Sequence, residues 1–167
     1  MSERHTTSGP LTGISRSAGR ALRMEESIQS EITAISPFVD ELMLFVRQCQ
    51  CDPRSEMDIE ISLREALANA VIHGNHEDPN KHVYVSCLCV PYEEISFVVR
   101  DEGKGFDSAE IPNPTAAERL EATHGRGVHL MKALMDEVRF EQGGTVVRMR
   151  KKFAMDDQRA VHLKRTQ

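Results

Sequence analysis

Apolar residues recur at helical spacing in three stretches of this chain, and short β-rich runs fill the intervals. Phe38, Leu42, Phe45 and Val46 share a helical face up to about Gln50. Ser36-Pro37 just before them reads as the helix start, with Ser36 as N-cap and Pro37 at the first helical position. Asp52-Pro53 marks a break, and a second helix is expected from about Ser55 to Gly74 with Ile59, Leu63, Ala66, Leu67, Ala70 and Val71 as its core stripe. Val128, Met131, Met135 and Val138, with Leu130 and Leu134 alongside, predict a third helix from Gly127 to Asp136. His129 stands in it where a larger apolar residue is expected.

Residues 24–31 alternate weakly. Residues 82–91 and 95–100 are β-rich and joined by Tyr92-Glu93-Glu94, a hairpin pattern. Residues 137–141 and 145–153 predict a closing hairpin around Gln142-Gly143-Gly144. The order helix, helix, strand, strand, loop, helix, strand, strand argues an α+β fold: helices layered on one face of a mixed, largely antiparallel sheet. Residues 1–23 are rich in Ser, Thr and Arg without apolar periodicity and read as a disordered tail. Residues 24–153 form the expected domain, and residues 154–167 a second tail. The polar loop 103–124, of roughly twenty residues, has the length of a lid or a disordered segment.

Composition narrows the picture. With 167 residues there is room for one domain plus tails, and 40% hydrophobic and 28% charged residues are ordinary for a globular chain. A net charge of -5 supplies no positive field towards nucleic acid. No apolar run approaches the ~20 residues of a membrane span, and the first 23 residues lack the apolar stretch of a secretory signal, so a cytoplasmic location is expected. Cys49, Cys51, Cys87 and Cys89 form two C-x-C pairs. Zinc is one reading, and free thiols in a reducing compartment the simpler one, with Cys87 and Cys89 on one side of a strand.

Three short strings carry the candidate chemistry. Glu65, Asn69 and His73 are spaced i, i+4, i+8 and share a helix face on which Ile61 and Ile72 also lie, the pattern of a cleft lining. Asn69 offers a neutral oxygen suited to magnesium, and Glu65 can accept a proton from an attacking hydroxyl. Both residue types are also ordinary on a helix surface. Asp101 closes a strand and is followed by Gly103 and Gly105. Its carboxylate suits an exocyclic amine, and the glycines admit a flat base. A plain glycine turn is the alternative. Gly125-Arg126-Gly127 precedes the third helix, where free N–H groups attract an anion and Arg126 adds a charge. A simple N-terminal turn would look the same. There is no dinucleotide fingerprint and no G-x-x-x-x-G-K-[ST] phosphate loop.

In this order the strings resemble the N, G1 and G2 boxes of the GHKL ATPase superfamily, and Gly144-Thr145 resembles its later Gly-Thr. Within it the chain is most similar to the anti-sigma regulatory factors, the RsbW-type serine kinases, through residues 65–74, 100–107 and 125–138. The resemblance covers about residues 24–153. It implies a two-layer α/β sandwich of the histidine kinase/gyrase ATPase type that binds ATP and Mg2+. It also implies roles: Glu65 as the catalytic residue, Asn69 on the metal, and Asp101 on adenine. Asn69, His73, Asp101, Gly103, Gly105, Gly125, Arg126, Gly127 and Thr145 would line the nucleotide. Such proteins phosphorylate a serine of an anti-anti-sigma (STAS-domain) partner, many sequester a sigma factor, and many form homodimers. An ATP-binding interaction module without significant transfer is the alternative function.

Overall fold

The computed structural model describes residues 15–16, 21–105 and 123–154. Strand β1 (Ser15–Arg16) and β2 (Leu22–Gln29) lead into helix α1 (Ile32–Gln48). Helix α2 (Pro53–Ala68) continues directly into a π-helical turn, Asn69–Gly74. Strands β3 (His82–Val90) and β4 (Glu94–Arg100), helix α3 (Thr123–Leu134), β5 (Glu137–Glu141) and β6 (Val146–Lys152) complete the order. The strands form one sheet in the order β1-β2-β3-β4-β6-β5. Every pairing among the described residues is antiparallel, so the mixed component of the expected sheet does not occur among them.

Period-2 alternation explains how the layers stack. On β3, Val83, Val85, Cys87 and Cys89 are buried, and their neighbours across the ladder on β4 are Ile95, Phe97 and Val99. These meet Leu42 and Phe45 of α1, Leu63 and Leu67 of α2, and Met131 of α3 in one core. The opposite face carries Tyr84, Ser86, Ser96 and Arg148 in half-buried or exposed positions. All six stripe residues expected on the second helix are buried. No helix among the described residues is long and apolar enough to cross a membrane.

Four expectations are corrected. Helix α1 begins at Ile32, one turn before Ser36-Pro37. Burial of Ile35 extends the core stripe upstream, and tertiary packing outweighs the backbone bond that a proline cannot donate. Ser36 is no cap; its hydroxyl accepts from Arg64 at 3.2 Å. Helix α3 begins at Thr123 and encloses Gly125-Arg126-Gly127. Two residues of the expected N-terminal tail, Ser15 and Arg16, pair with Arg23 and Leu22. Cys49 and Cys89 are joined in a disulfide, Cα atoms 6.1 Å apart, because β3 carries Cys89 to the buried end of α1; Cys51 and Cys87 take no part in that bond. Burial pushes the Cys87 thiol well above its usual range. His129 is exposed, so its polarity disturbs no packing. The remainder of both expected tails and positions 106–122 of the expected lid lie outside the described residues.

Two polar anchors brace the helices. Asp52 caps α2, accepting from the Ser55 N–H at 2.9 Å and the Ser55 hydroxyl at 2.6 Å, and it also accepts from the Ala154 N–H at 3.2 Å. Burial raises its pKa, but these bonds outweigh it and hold the carboxyl down at about 2. Lys151 of β6 donates to Asp58 of α2 at 2.7 Å and to the Leu134 carbonyl at 2.6 Å, which ties the end of α3 to α2 and the sheet.

Candidate functional site

Helix α2 and its π turn form the spine of the site. Asn69 is the hinge between the two, and the i→i+5 bond from the Asn75 N–H to the Ala70 carbonyl (2.8 Å) is π-type. Glu65 and Asn69 keep α-helical spacing, whereas His73 falls in the wider turn, half-buried. Short π segments inside α-helices concentrate at functional sites. Periodicity alone does not reveal this one.

At the upstream end, α3 packs against the spine through Gly127. A Cβ added there would collide with Glu65 Oε2 and lie 3.6 Å from Asn69 Nδ2. A glycine inside a helix costs about 1 kcal/mol relative to alanine. Here the missing side chain lets the third motif lie against the first without pushing the Glu65 carboxylate aside. Gly125 lies in the first turn of α3, where the N–H groups have no intrahelical acceptor, and Arg126 follows it. Arg126 is exposed.

At the downstream end, the second motif closes on Gly74. Asp101 follows the last residue of β4 and is 9% exposed. Its N–H donates to the Thr145 carbonyl (3.0 Å), and its Oδ1 accepts from the Gly103 N–H (2.8 Å). A Cβ on Gly74 would stand 2.5 and 2.7 Å from the two Asp101 oxygens, and Gly103 is packed on the Gly74 carbonyl. Gly105 has φ +70 and backs onto the β5–β6 turn: a Cβ there would be 2.5 Å from the Gly143 carbonyl oxygen and 3.3 Å from Thr145 Cγ2. The Thr145 hydroxyl donates to the Gln142 carbonyl at 3.0 Å. Desolvation raises the Asp101 pKa above the ordinary carboxylate range, against the Gly103 bond and the charges of Lys81 and Arg100, which lower it.

The three strings thus meet along one continuous helix. Glu65, Asn69 and Gly127 gather at one end, and Asp101, Gly103, Gly105 and Thr145 at the other, beside Gly74. Gly74 and Gly143 were not singled out by sequence reasoning. Gly74 was visible as the last residue of the first string, but its contact with Asp101 is a long-range one. Among the described residues no group of three or more His, Cys, Asp or Glu gathers as a metal site.

Comparison with known proteins identifies the family. Residues 28–151 match the family described as histidine kinase-like ATPase domain. The chain is similar to the anti-sigma F factor of Heyndrickxia coagulans, 37% identical over 97 residues, which span 54% of this chain and 65% of that relative. It is also similar to the anti-sigma F factors of Oceanobacillus iheyensis (31% over 134 residues, 77% of this chain and 81% of the relative) and Clostridium acetobutylicum (33% over 114 residues, 61% and 74%).

Proposed function

Because this chain belongs to the histidine kinase-like ATPase family, we propose that it binds ATP with Mg2+ along the α2 spine and phosphorylates a serine of an anti-anti-sigma (STAS-domain) partner while regulating a sigma factor. The observation that carries this reading is the seating of Gly127 on Glu65 and Asn69, on the same helix whose end meets Asp101. It leaves one surface with a buried acid at one end and a carboxylate, an amide and free helical N–H groups at the other. Those are the two chemistries that a nucleoside triphosphate presents. The names of the similar proteins, anti-sigma F factors, support the regulatory context.

Each residue then has a physical task. The Asp101 carboxylate accepts a hydrogen bond from the adenine amine. Asn69 supplies one oxygen to Mg2+, which takes few protein ligands and fills the rest from phosphate and water. The Gly125 amide in the first turn of α3 and the Arg126 guanidinium face the phosphates. His73, Gly103, Gly105, Gly127 and Thr145 shape the walls. Glu65 takes the proton of the partner's serine hydroxyl as its oxygen bonds to the γ-phosphorus and the bond to the leaving ADP oxygen breaks. Phosphoryl transfer needs little beyond positioning and charge stabilisation, and these groups supply both.

The test is transfer of γ-labelled phosphate from ATP to a STAS-domain protein encoded beside this one. Label should appear on the partner's serine, and Glu65→Gln should keep ATP affinity while transfer is lost. Equal transfer by the variant would remove Glu65 from the chemistry. Tight ATP binding with no transfer in the wild type would favour an interaction module instead.

A further inference from the structure

Asn75 follows Gly74 immediately and is fully buried, at 0% exposure. Its Nδ2 donates to the His82 carbonyl at 2.9 Å, and its Oδ1 accepts from the Glu102 N–H at 2.8 Å. Glu102 Oε2 in turn accepts from the His82 N–H at 2.6 Å. The three residues therefore close a ring of hydrogen bonds that joins the end of the π turn, the first residue of β3 and the turn after Asp101.

The carboxamide completes this ring by donating and accepting at once. The His82 carbonyl needs a donor and the Glu102 amide needs an acceptor, and one side chain must present both. Aspartate would set a carboxylate against a carbonyl. Alanine would leave the His82 carbonyl and the Glu102 N–H without this partner in a part-buried place. The bond lands on the peptide group that links Asp101 to Glu102. Thr145 already holds the Asp101 N–H, and Gly103 its Oδ1. The backbone is therefore pinned on both sides of the acid, from Thr145 in the β5–β6 turn on one side and from Asn75 on the other.

We infer that Asn75 is a positioning residue for base recognition: its carboxamide, through Glu102, aims the Asp101 carboxylate and so sets the preference for a purine bearing an exocyclic amine. This rests on the nucleotide reading above. The ring is distant from the γ-phosphate end, so its effect falls on the base and not on the phosphates.

Calorimetric titration with ATP and with purine riboside triphosphate, which has hydrogen in place of the amino group, tests it. Wild type, Asn75→Ala, Asn75→Asp and Glu102→Ala are compared, each with its melting temperature. The wild type should favour ATP. Asn75→Ala and Asn75→Asp should shrink that preference by about five- to tenfold, the effect of about one hydrogen bond, with affinity for the analogue within about twofold of wild type. Glu102 is exposed, so Glu102→Ala retains the fold and should shrink the preference by about threefold; it decides the matter if the Asn75 variants do not fold. An unchanged ATP-to-analogue ratio in the variants, with only the melting temperature lowered, overturns the inference and leaves Asn75 as scaffold. A wild type that binds neither nucleotide overturns the nucleotide reading itself, and the inference with it.

Discussion

Replacing Asp101 by asparagine should weaken nucleotide binding and yet cost the free protein no stability. Asparagine has the same shape, and its oxygen can keep the bond from the Gly103 N–H (2.8 Å). That choice fixes the other branch. An NH2 group then stands where the second carboxylate oxygen stood, and it faces the adenine amine donor to donor. A bond to a charged acceptor contributes about 1.5–3 kcal/mol, so the dissociation constant should rise by roughly ten- to a hundredfold. Stability moves differently because burial raises the Asp101 pKa. The folded protein binds more protons than the unfolded chain between the two pKa values, so this group's contribution to stability grows as the pH falls through the folded value and is unfavourable above it. At neutral pH the variant removes an ionised group from a desolvated place, and its urea midpoint should equal or exceed that of wild type. Nucleotide reverses the preference, since a bound base amine needs the ionised acid. Wild-type affinity should therefore fall on acidification through the raised Asp101 pKa, and the variant should lack that limb. Calorimetry from neutral to acidic pH, beside urea melts, reads both effects. A variant that binds ATP like wild type and keeps the acid limb would refute the assignment of Asp101 to the base.

Three further outcomes follow from the packing. Lys151→Met leaves Asp58 charged and mostly buried without its partner (side chains 15% and 13% exposed), and should cost about 3 kcal/mol in urea melts, with part regained in Asp58→Leu/Lys151→Met. Asp52→Ala removes the α2 cap and should cost about 1 kcal/mol at neutral pH. The Asp52 pKa is held down from 3.8 to about 2, so its stabilisation is complete above the unfolded value and the gap between wild type and variant should close as pH falls from about 4 towards 2. The denatured, unreduced protein should show two titratable thiols, from Cys51 and Cys87, and reduction should lower stability by up to about 4 kcal/mol for a closed loop of 40 residues; four thiols before reduction would contradict the Cys49–Cys89 bond.

Local patterning made much of this fold legible. The 3.6-residue stripe on α2, the Tyr92–Glu94 hairpin turn and the closing hairpin are each written in adjacent residues, and the structure keeps them. Glu65, Asn69, Asp101 and the glycine string stand out as candidates for the same reason, because each sits in a short run with chemistry of its own. What periodicity could not show is decided across the chain. Asn75 meets Glu102, Lys151 meets Asp58, and Cys49 meets Cys89 over separations of 27, 93 and 40 residues. The start of α1 was misplaced for a related reason: Pro37 is a strong local signal, and burial of Ile35 overrides it. The π turn was hidden because its sequence, Asn-Ala-Val-Ile-His-Gly, continues the helical stripe without a break.

Titration of ATP with Mg2+ into the wild-type protein, in parallel with Asn69→Ala and Gly127→Val, addresses the convergence of the three motifs most directly. Heat corresponding to one site per chain, weakened by the valine that would displace the Glu65 carboxylate and greatly weakened by loss of the Asn69 amide, is the predicted result. Saturable binding that both folded variants retain at wild-type affinity would contradict a nucleotide site along α2.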